Sequence, residues 1–138
     1  MNTKIFTTLP QDAKDIRIEV FMKEQGFENE FDEIDTISHH IVVFDEGKPI
    51  GTCRFFKENN HYTIGRVAVL KEYRNQHIGN LLLKSAEKEI KKLNGDLIVV
   101  HAQVRVSPFY ENQGYIQFGQ IDDDEGVPHM WMKKKIQY

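Results

Sequence analysis

The sequence has little of what secreted and membrane proteins usually carry. It contains one cysteine, Cys53, so no disulfide can form within the chain, and such usage is typical of a reducing compartment. The N-terminal stretch MNTKIFTTLPQD lacks the apolar run of a signal peptide. No stretch is long and apolar enough to cross a bilayer. We therefore expect a cytoplasmic protein with no membrane partner.

The sequence also lacks a strong excess of charge of one sign. Its 18 Lys and Arg residues nearly balance its 21 Asp and Glu residues, and the formal net charge is -3. No whole-molecule field therefore attracts nucleic acid or anionic lipid. Repeats and Pro/Ser-rich linkers are absent. The length of 138 residues suits one ordinary domain, so we expect a single domain over residues 1–138.

The N-terminal half alternates apolar runs with turn signals. A helix is predicted over Gln11–Gln25, and Gly26 ends it. The acidic segment that follows is expected to be a loop with at most one helical turn. An opening strand and an antiparallel meander are predicted at Asn2–Thr7, His40–Asp45, Pro49–Phe56 and Tyr62–Leu70.

The C-terminal half begins with a long amphipathic helix, predicted over Ile78–Leu93. Leu97–Ala102 is a continuous apolar run between turn residues and predicts a buried strand. A strand, a helix and another buried strand indicate one parallel crossover.

The end of the chain is predicted to hold a short helix over Ser107–Gln113, capped by Ser107 and with Pro108 in its first turn. Two last strands follow, joined by an acidic link over Gln120–Pro128 that we expect to be mobile. These strands are predicted at Tyr115–Gly119 and His129–Ile136. The fold class is α/β, a mixed sheet with helices on both faces.

The segment Gly65–Asn80 is the most informative part of the sequence. An apolar strand runs into a polar loop that opens a helix, so several backbone N–H groups and the helix dipole point at one spot. Such a spot suits a pyrophosphate, and Arg74 adds a fixed positive charge. An ordinary strand-to-helix turn is the alternative.

Two segments resemble the GNAT acyltransferase superfamily. RVAVLKEYRNQHIGNLLL resembles its coenzyme A loop, whose pattern is Gln/Arg-x-x-Gly-x-Gly/Ala after a strand. Arg74, His77 and Gly79 fall on the three defined positions of that pattern. HAQVRVSPFYENQGY resembles the short helix and aromatic residue that close the domain. RIEVFMKEQ, EFDEID and GVPHMWM resemble the ElaA-like branch, and the order of elements agrees over almost the whole chain.

The resemblance implies a fold, an activity and a set of contacts. It implies a GNAT-like mixed, mostly antiparallel sheet with helices on both faces. It implies an N-acyltransferase that moves an acetyl group from acetyl-CoA to a primary amine by direct attack in a ternary complex. In relatives a strand pairs with the pantetheine arm of coenzyme A. The implied coenzyme A contacts are Val67, Ala68, Val69, Arg74, Asn75, Gln76, His77, Ile78, Gly79, Asn80 and Gln103.

His77 departs from the family pattern because it stands where the loop has its first glycine. A glycine turns freely and lets the backbone approach the phosphates. A histidine there either takes the same backbone with its ring outward or reshapes the loop. Its ring can also donate to a phosphate, and a surface histidine without a role is the third interpretation.

Tyr110 matches the family's general-acid tyrosine. Attack of an amine on a thioester expels a thiolate, and a nearby phenol can protonate it because the unperturbed pKa of tyrosine is about 10. Orientation of the sulfur and simple core packing beside Phe109 are the alternatives.

The sequence leaves the general base open. Arg17 and Glu24 are seven residues apart on the predicted helix, so on one face, where they bind an acceptor or pair with the acidic loop. His129 begins a strand and is of the type poised near neutral pH. Other candidates lie in segments that border the acceptor cleft of relatives: Glu30, Asp32, Glu33, His39, His40 and Glu125.

A metal centre and a cysteine nucleophile are not expected. His39 and His40 are adjacent on a predicted strand, so their side chains point to opposite faces and cannot chelate one ion. Cys53 has no cationic neighbours in sequence that would favour its thiolate.

Two other function classes compete with the enzyme. A catalytically silent acyl-CoA-binding module or sensor would keep the loop and lack a working acid and base; Tyr110 favours the enzyme and His77 the sensor. A nucleic-acid-binding domain is disfavoured by the net charge of -3. The acceptor is expected to be a small-molecule or peptide amine, with local acidity favouring a cationic one. A homodimer is a family expectation.

Overall fold

Seven strands form one mixed sheet in the computed structural model, which describes residues 1–138. They are β1 (Asn2–Phe6), β2 (His39–Asp45), β3 (Lys48–Glu58), β4 (His61–Val69), β5 (Leu97–Gln103), β6 (Ile116–Asp124) and β7 (Val127–Lys135). Their order in the sheet is β1-β2-β3-β4-β5-β7-β6, and only β4 and β5 run parallel. The predicted meander, the parallel crossover and the fold class are confirmed.

Helices cover both faces of the sheet. The first is α1 (Gln11–Arg17), which continues as a π-helix over Ile18–Glu24; the others are α2 (Ile78–Lys92) and α3 (Ser107–Asn112). Short 3-10 turns lie at Glu33–Thr36, Lys71–Tyr73 and Val104–Val106. The apolar side of α1 packs on β2 and β4, and α2 fills the opposite face with a stripe of fully buried residues: Leu82, Leu83, Ala86 and Ile90. No helix has both the length and the apolar character needed to cross a membrane.

The first helix differs from its prediction in pitch. It is α-helical only to Arg17 and then widens into the π-helix that ends at Glu24. A π-helix bonds residue i to residue i+5, so residues seven apart no longer share a face. Arg17 is 1% exposed and points inward, whereas Glu24 lies at the surface. The prediction that Arg17 and Glu24 lie on one face of the helix is therefore wrong.

The last two strands form a hairpin instead of being joined by a mobile link. β6 runs on through the acidic segment and pairs with β7, with Asp122 opposite His129. Glu125 (φ 50°) and Gly126 (φ 82°) supply the two positive φ values that a tight hairpin turn requires. The prediction that Gln120–Pro128 is a link between the strands is therefore wrong, because pairing with β7 overrides the low strand propensity of aspartate.

The short helix α3 lies where it is predicted but begins differently. Ser107 is its first residue, and Val106 holds the capping position without a side-chain cap. The predicted Ser107 cap is therefore wrong, while Pro108 does lie in the first turn, where its missing N–H has no helical partner to lose.

The parallel strands β4 and β5 separate halfway along their length. Their register stops at Ile64 opposite Val100. Just beyond, Arg66 and Val67 form a bulge in β4 opposite Cys53 of β3, and Arg66 has a φ of 52°. A bulge bends its strand and sharpens its twist. Beyond Ile64, the edge of β4 on the β5 side therefore has no neighbouring strand, and a cleft opens there.

Candidate active site

Two cavities open where β4 and β5 separate. The loop cavity, of about 580 Å3, lies between β4, the loop that precedes α2, and α3. The histidine cavity, of about 150 Å3, lies between β5, the start of β7 and the segment after the π-helix. The residues that line both cavities form a shared wall: Gln25, Val67, Arg105, Val106 and Tyr110.

The loop cavity gathers most of the residues that the resemblance assigns to coenzyme A. Gln76 is exposed and lines neither cavity. Gln103 lies in the histidine cavity, where its Nε2 donates to Oε1 of Gln25 at 2.8 Å. The expected contacts that do line the loop cavity are Val67, Ala68, Val69, Arg74, Asn75, His77, Ile78, Gly79 and Asn80.

The loop before α2 has an unusual backbone. Asn75 (φ 65°) and His77 (φ 62°, ψ 22°) are both left-handed. This is the conformation that glycine adopts without strain, so His77 takes a glycine-like backbone. No side chain caps α2, and its first N–H groups therefore have no side-chain acceptor. Backbone donors at a helix start form an anion site.

Gly79 allows α2 and α3 to approach each other closely. An added Cβ at this position would lie 3.2 Å from Cζ of Phe109. The ring of Phe109 fills that space and forms part of the loop cavity. A side chain at Gly79 would displace the ring into the cavity or push the helices apart.

Arg74 is paired within the chain. Its Nη1 and Nη2 donate to the two carboxylate oxygens of Glu24 at 2.6 and 2.7 Å, and its Nε donates to the Val69 carbonyl at 3.1 Å. The hydrogen bond from Arg74 lowers the pKa of the Glu24 carboxyl. Glu24 therefore belongs to the loop cavity's border and not to the acceptor region where the sequence placed it.

The acidic loop after the first helix is locked by a cluster of buried ion pairs. Arg17 Nε donates to Glu30 at 3.0 Å and Arg17 Nη1 to Asp35 at 2.8 Å. Arg54 and Arg66 add further pairs to the same carboxylates. Arg17 lines neither cavity, so its expected contact with an acceptor is not supported by its position. We call the whole set the ionic cluster: Arg17, Arg54, Arg66, Glu30, Asp32 and Asp35.

The pKa values within the ionic cluster follow the balance of burial and pairing. Burial tends to raise the pKa of Asp35, but hydrogen bonds from Arg17 and Arg54 outweigh it and lower the pKa overall. Burial raises the pKa of Glu30, and the charges of Arg66 and Arg17 oppose that rise without cancelling it. Three arginines therefore pair with three carboxylates of this segment: Glu30, Asp32 and Asp35.

The hairpin turn also reaches the cleft. The Glu125 carboxylate accepts the backbone N–H groups of Glu28 and Asn29 at 3.1 and 3.2 Å. The turn between β6 and β7 is thereby fastened to the segment after the first helix, and together they enclose the histidine cavity.

The histidine cavity contains two histidines that strand pairing brings together. His101 Nε2 lies 2.7 Å from Asp122 Oδ1, and the ring of His101 lies 4.8 Å from the ring of His129 and stacks on Trp131 at 4.4 Å. The hydrogen bond from His101 lowers the pKa of Asp122. The sequence reasoning missed His101 and Asp122. The available signal was the two-residue spacing between His101, on the predicted strand Leu97–Ala102, and Gln103 just beyond its end, since residues two apart on a strand share a face.

Tyr110 stands in the shared wall. It is 7% exposed and makes no hydrogen bond within the chain. The residue lines both cavities. Burial raises the pKa of Tyr110 well above its usual value, and the nearby Cys53 adds to that rise.

Cys53 lies in β3 behind the cleft. Burial raises the pKa of its thiol to about 12, so it is a neutral thiol at physiological pH. The position agrees with the expectation that it is not a nucleophile.

The sequence profile of the Acetyltransferase (GNAT) domain matches residues 9–136. The chain belongs to the GNAT acetyltransferase family. It is 35% identical over 127 residues to YjcF of Bacillus subtilis, an uncharacterized N-acetyltransferase, over 90% of this chain and 91% of that protein.

Solved structures share the fold. The crystal structure of Escherichia coli ElaA covers 97% of this chain and 99% of its own, at a TM-score of 0.88 and 21% identity. An aminoglycoside 6'-N-acetyltransferase complexed with coenzyme A covers 98% of this chain and 97% of its own, at a TM-score of 0.79 and 15% identity. The chain is also 23% identical over 128 residues to Protein ElaA of Escherichia coli, over 88% of this chain and 84% of that protein.

Proposed function

We propose that this chain transfers an acetyl group from acetyl-CoA to a primary amine by direct attack in a ternary complex. The observation that carries the proposal is the wall shared by the loop cavity and the histidine cavity, with Tyr110 in it. A donor in one cavity and an acceptor in the other meet at that wall. Holding two reactants in contact removes much of the entropic barrier to their reaction.

The loop cavity suits the donor. Beyond Ile64, the edge of β4 has no partner strand and can pair with an extended, amide-bearing arm. The uncapped start of α2 offers backbone N–H groups to a pyrophosphate. Coenzyme A is bound in the structure of the aminoglycoside 6'-N-acetyltransferase that shares this fold, which supports the assignment.

Tyr110 suits the role of general acid. Tyr110 lines both cavities and its hydroxyl makes no hydrogen bond within the chain, so it has no partner to give up before it meets the thioester sulfur. Because burial raises its pKa, the phenol stays protonated at neutral pH. When the carbon–sulfur bond breaks, the phenol can donate its proton to the thiolate.

A catalytically silent acyl-CoA-binding module is the second candidate. The pairing of Arg74 with Glu24 favours it, because the one arginine of the loop has its charge matched within the chain. Such a module would bind acetyl-CoA without any acceptor-dependent release of thiol.

The experiment is a screen of small-molecule and peptide amines with acetyl-CoA and a free-thiol readout. Calorimetry with acetyl-CoA runs in parallel, with an expected stoichiometry of one per chain. Amine-dependent thiol release supports the enzyme. Binding without release for every amine supports the silent module, and the absence of binding at millimolar acetyl-CoA contradicts both.

The Tyr110→Phe variant separates the possible roles of the phenol. The ring and its packing stay, so we expect unchanged calorimetric affinity for acetyl-CoA and a kcat lowered by about 10²–10⁴-fold. Tyr62→Phe is the matched control, because Tyr62 is a buried tyrosine that lines neither cavity. An unchanged kcat in folded Tyr110→Phe would remove Tyr110 from the chemistry.

A further inference from the structure

We propose that His129 is the general base that takes a proton from the acceptor's ammonium group, and that His101, held by Asp122, positions it. The inference rests on the proposed function and extends it to residues of the histidine cavity.

Hydrogen bonding fixes the tautomer of His129. Its Nδ1 lies 2.8 Å from the carbonyl oxygen of Val127. A carbonyl only accepts, so Nδ1 must carry the hydrogen, and in the neutral ring Nε2 keeps its lone pair. Nε2 has no hydrogen-bond partner in the chain, and His129 lines the histidine cavity. A nitrogen lone pair facing an acceptor cavity is what a general base requires.

His101, hydrogen-bonded to Asp122, packs against the ring of His129. The carboxylate of Asp122 only accepts, so Nε2 of His101 is the donor in their 2.7 Å contact. The His101 ring packs against His129 with a centroid distance of 4.8 Å and stacks on Trp131. The pair thus fixes one side of the His129 ring.

Two of the three carboxylates of the same cavity are already engaged. Glu30 Oε1 is held by Arg17 at 3.0 Å and by Arg66 at 2.9 Å. Glu125 accepts two backbone N–H groups. The third, Asp124, lies at the end of the hairpin, where its backbone pairs opposite Val127. The charged and titratable groups that line the cavity with His129 are Glu30, Arg66, His101, Arg105, Asp124 and Glu125, together with Tyr110.

The transfer balances with these groups alone. The ammonium gives its first proton to Nε2 of His129, which later releases it to solvent. The freed lone pair forms the carbon–nitrogen bond, and the electron pair of the breaking carbon–sulfur bond leaves on sulfur, which takes the Tyr110 proton. The second proton of the nitrogen goes to solvent, and Tyr110 recovers a proton from solvent. The products are the amide, the free thiol and one proton.

The test is the pH profile of kcat/KM with an amine found by the screen. His129→Gln should lower kcat/KM by about 10²–10⁴-fold and flatten the acidic limb of the profile, with acetyl-CoA affinity unchanged. Asp122→Asn should lower kcat less than tenfold and leave KM for the amine unchanged, because the ring of His101 loses the carboxylate that holds it. His61→Gln, at a histidine that begins β4 and lines neither cavity, is the matched control and should change neither kcat/KM nor its pH profile.

A second measurement does not depend on turnover or on a variant that folds. Nitrogen-15 NMR of the wild-type side chains should show His129 protonated at Nδ1 in its neutral form; protonation at Nε2 would overturn the inference. A His129→Gln enzyme with an unchanged pH profile would also overturn the inference. The proposed function would still stand in that case, because the wild type transfers the acetyl group. An Asp122→Asn enzyme with an unchanged kcat would overturn the positioning role. If no amine is acetylated, the proposed function and this inference fail together.

Discussion

The loop cavity and the histidine cavity share a wall but are built from different atoms. The loop cavity comes mainly from one continuous stretch, 67–80, and offers backbone groups: a strand edge without a partner and an uncapped helix start. The histidine cavity is lined by side chains from segments far apart in sequence, held by the ionic cluster and by hydrogen bonds across strands. A site made of backbone should tolerate side-chain changes that a site made of linked side chains does not.

A change in the ionic cluster is expected to have the largest effect on stability. Arg17→Met keeps the length of the side chain and removes its pairs with Glu30 and Asp35, which lie 3.0 and 2.8 Å away. Removing one partner of a buried ion pair leaves an uncompensated buried charge, so the free energy of unfolding should fall by about 3–5 kcal/mol. Urea unfolding measures it.

A control variant and a binding measurement test whether the ionic cluster supports only the histidine cavity. Lys23→Met removes an exposed pair with Glu19 from the same helix and should change stability by about 0.5 kcal/mol or less. Under conditions where Arg17→Met stays folded, its affinity for acetyl-CoA should match the wild type while KM for the acceptor rises. Equal stability losses in the two variants would show that the cluster does not hold the acidic loop.

The same difference explains what the sequence could predict. The strand, loop and helix that form the loop cavity follow one another, and their signals are local: an apolar run, turn residues and an amphipathic pattern. Nine of the expected coenzyme A contacts do line that cavity. Gln103 does not, because the side of the cleft that it faces depends on how β5 diverges from β4.

The histidine cavity could not be predicted in the same way. His101, Asp122 and His129 meet only because β5, β7 and β6 are neighbours, and no local pattern indicates that the acidic segment is a strand. Arg17 and Glu24 were placed together by ordinary helical spacing, which the π-helix breaks. Long-range pairing and a change of helical pitch leave no local pattern.

Glu24→Gln tests a side chain at the border of the loop cavity. The change keeps the shape of Glu24 and removes the charge that Arg74 now pairs with at 2.6 Å. Both side chains are 35% exposed, so the pair is worth about 1 kcal/mol or less, and acetyl-CoA affinity should rise by about fivefold at most. Calorimetry at low salt measures it, with Glu72→Gln as control because Glu72 is near Arg74 without a hydrogen bond to it. Weaker binding would show that Glu24 aims Arg74 at the ligand.

His77→Gly should have the smallest effect, although it changes a residue of the expected coenzyme A loop. His77 already holds the left-handed backbone that glycine prefers, with φ 62°, so the variant has no need to reshape the loop. Relief of strain favours the glycine by about 1 kcal/mol, and the greater freedom of glycine in the unfolded chain costs about 0.4–1 kcal/mol, so stability should barely move. The His77 ring contacts only the Asn80 amide, at 3.4 Å, and is exposed. Acetyl-CoA affinity should therefore stay within about threefold of the wild type, because the N–H groups that the loop presents belong to the backbone. Calorimetry at pH 6 and pH 8 checks this. A loss of affinity that grows at the lower pH would mean that the His77 ring donates to a phosphate, and the loop cavity would then depend on a side chain as the histidine cavity does.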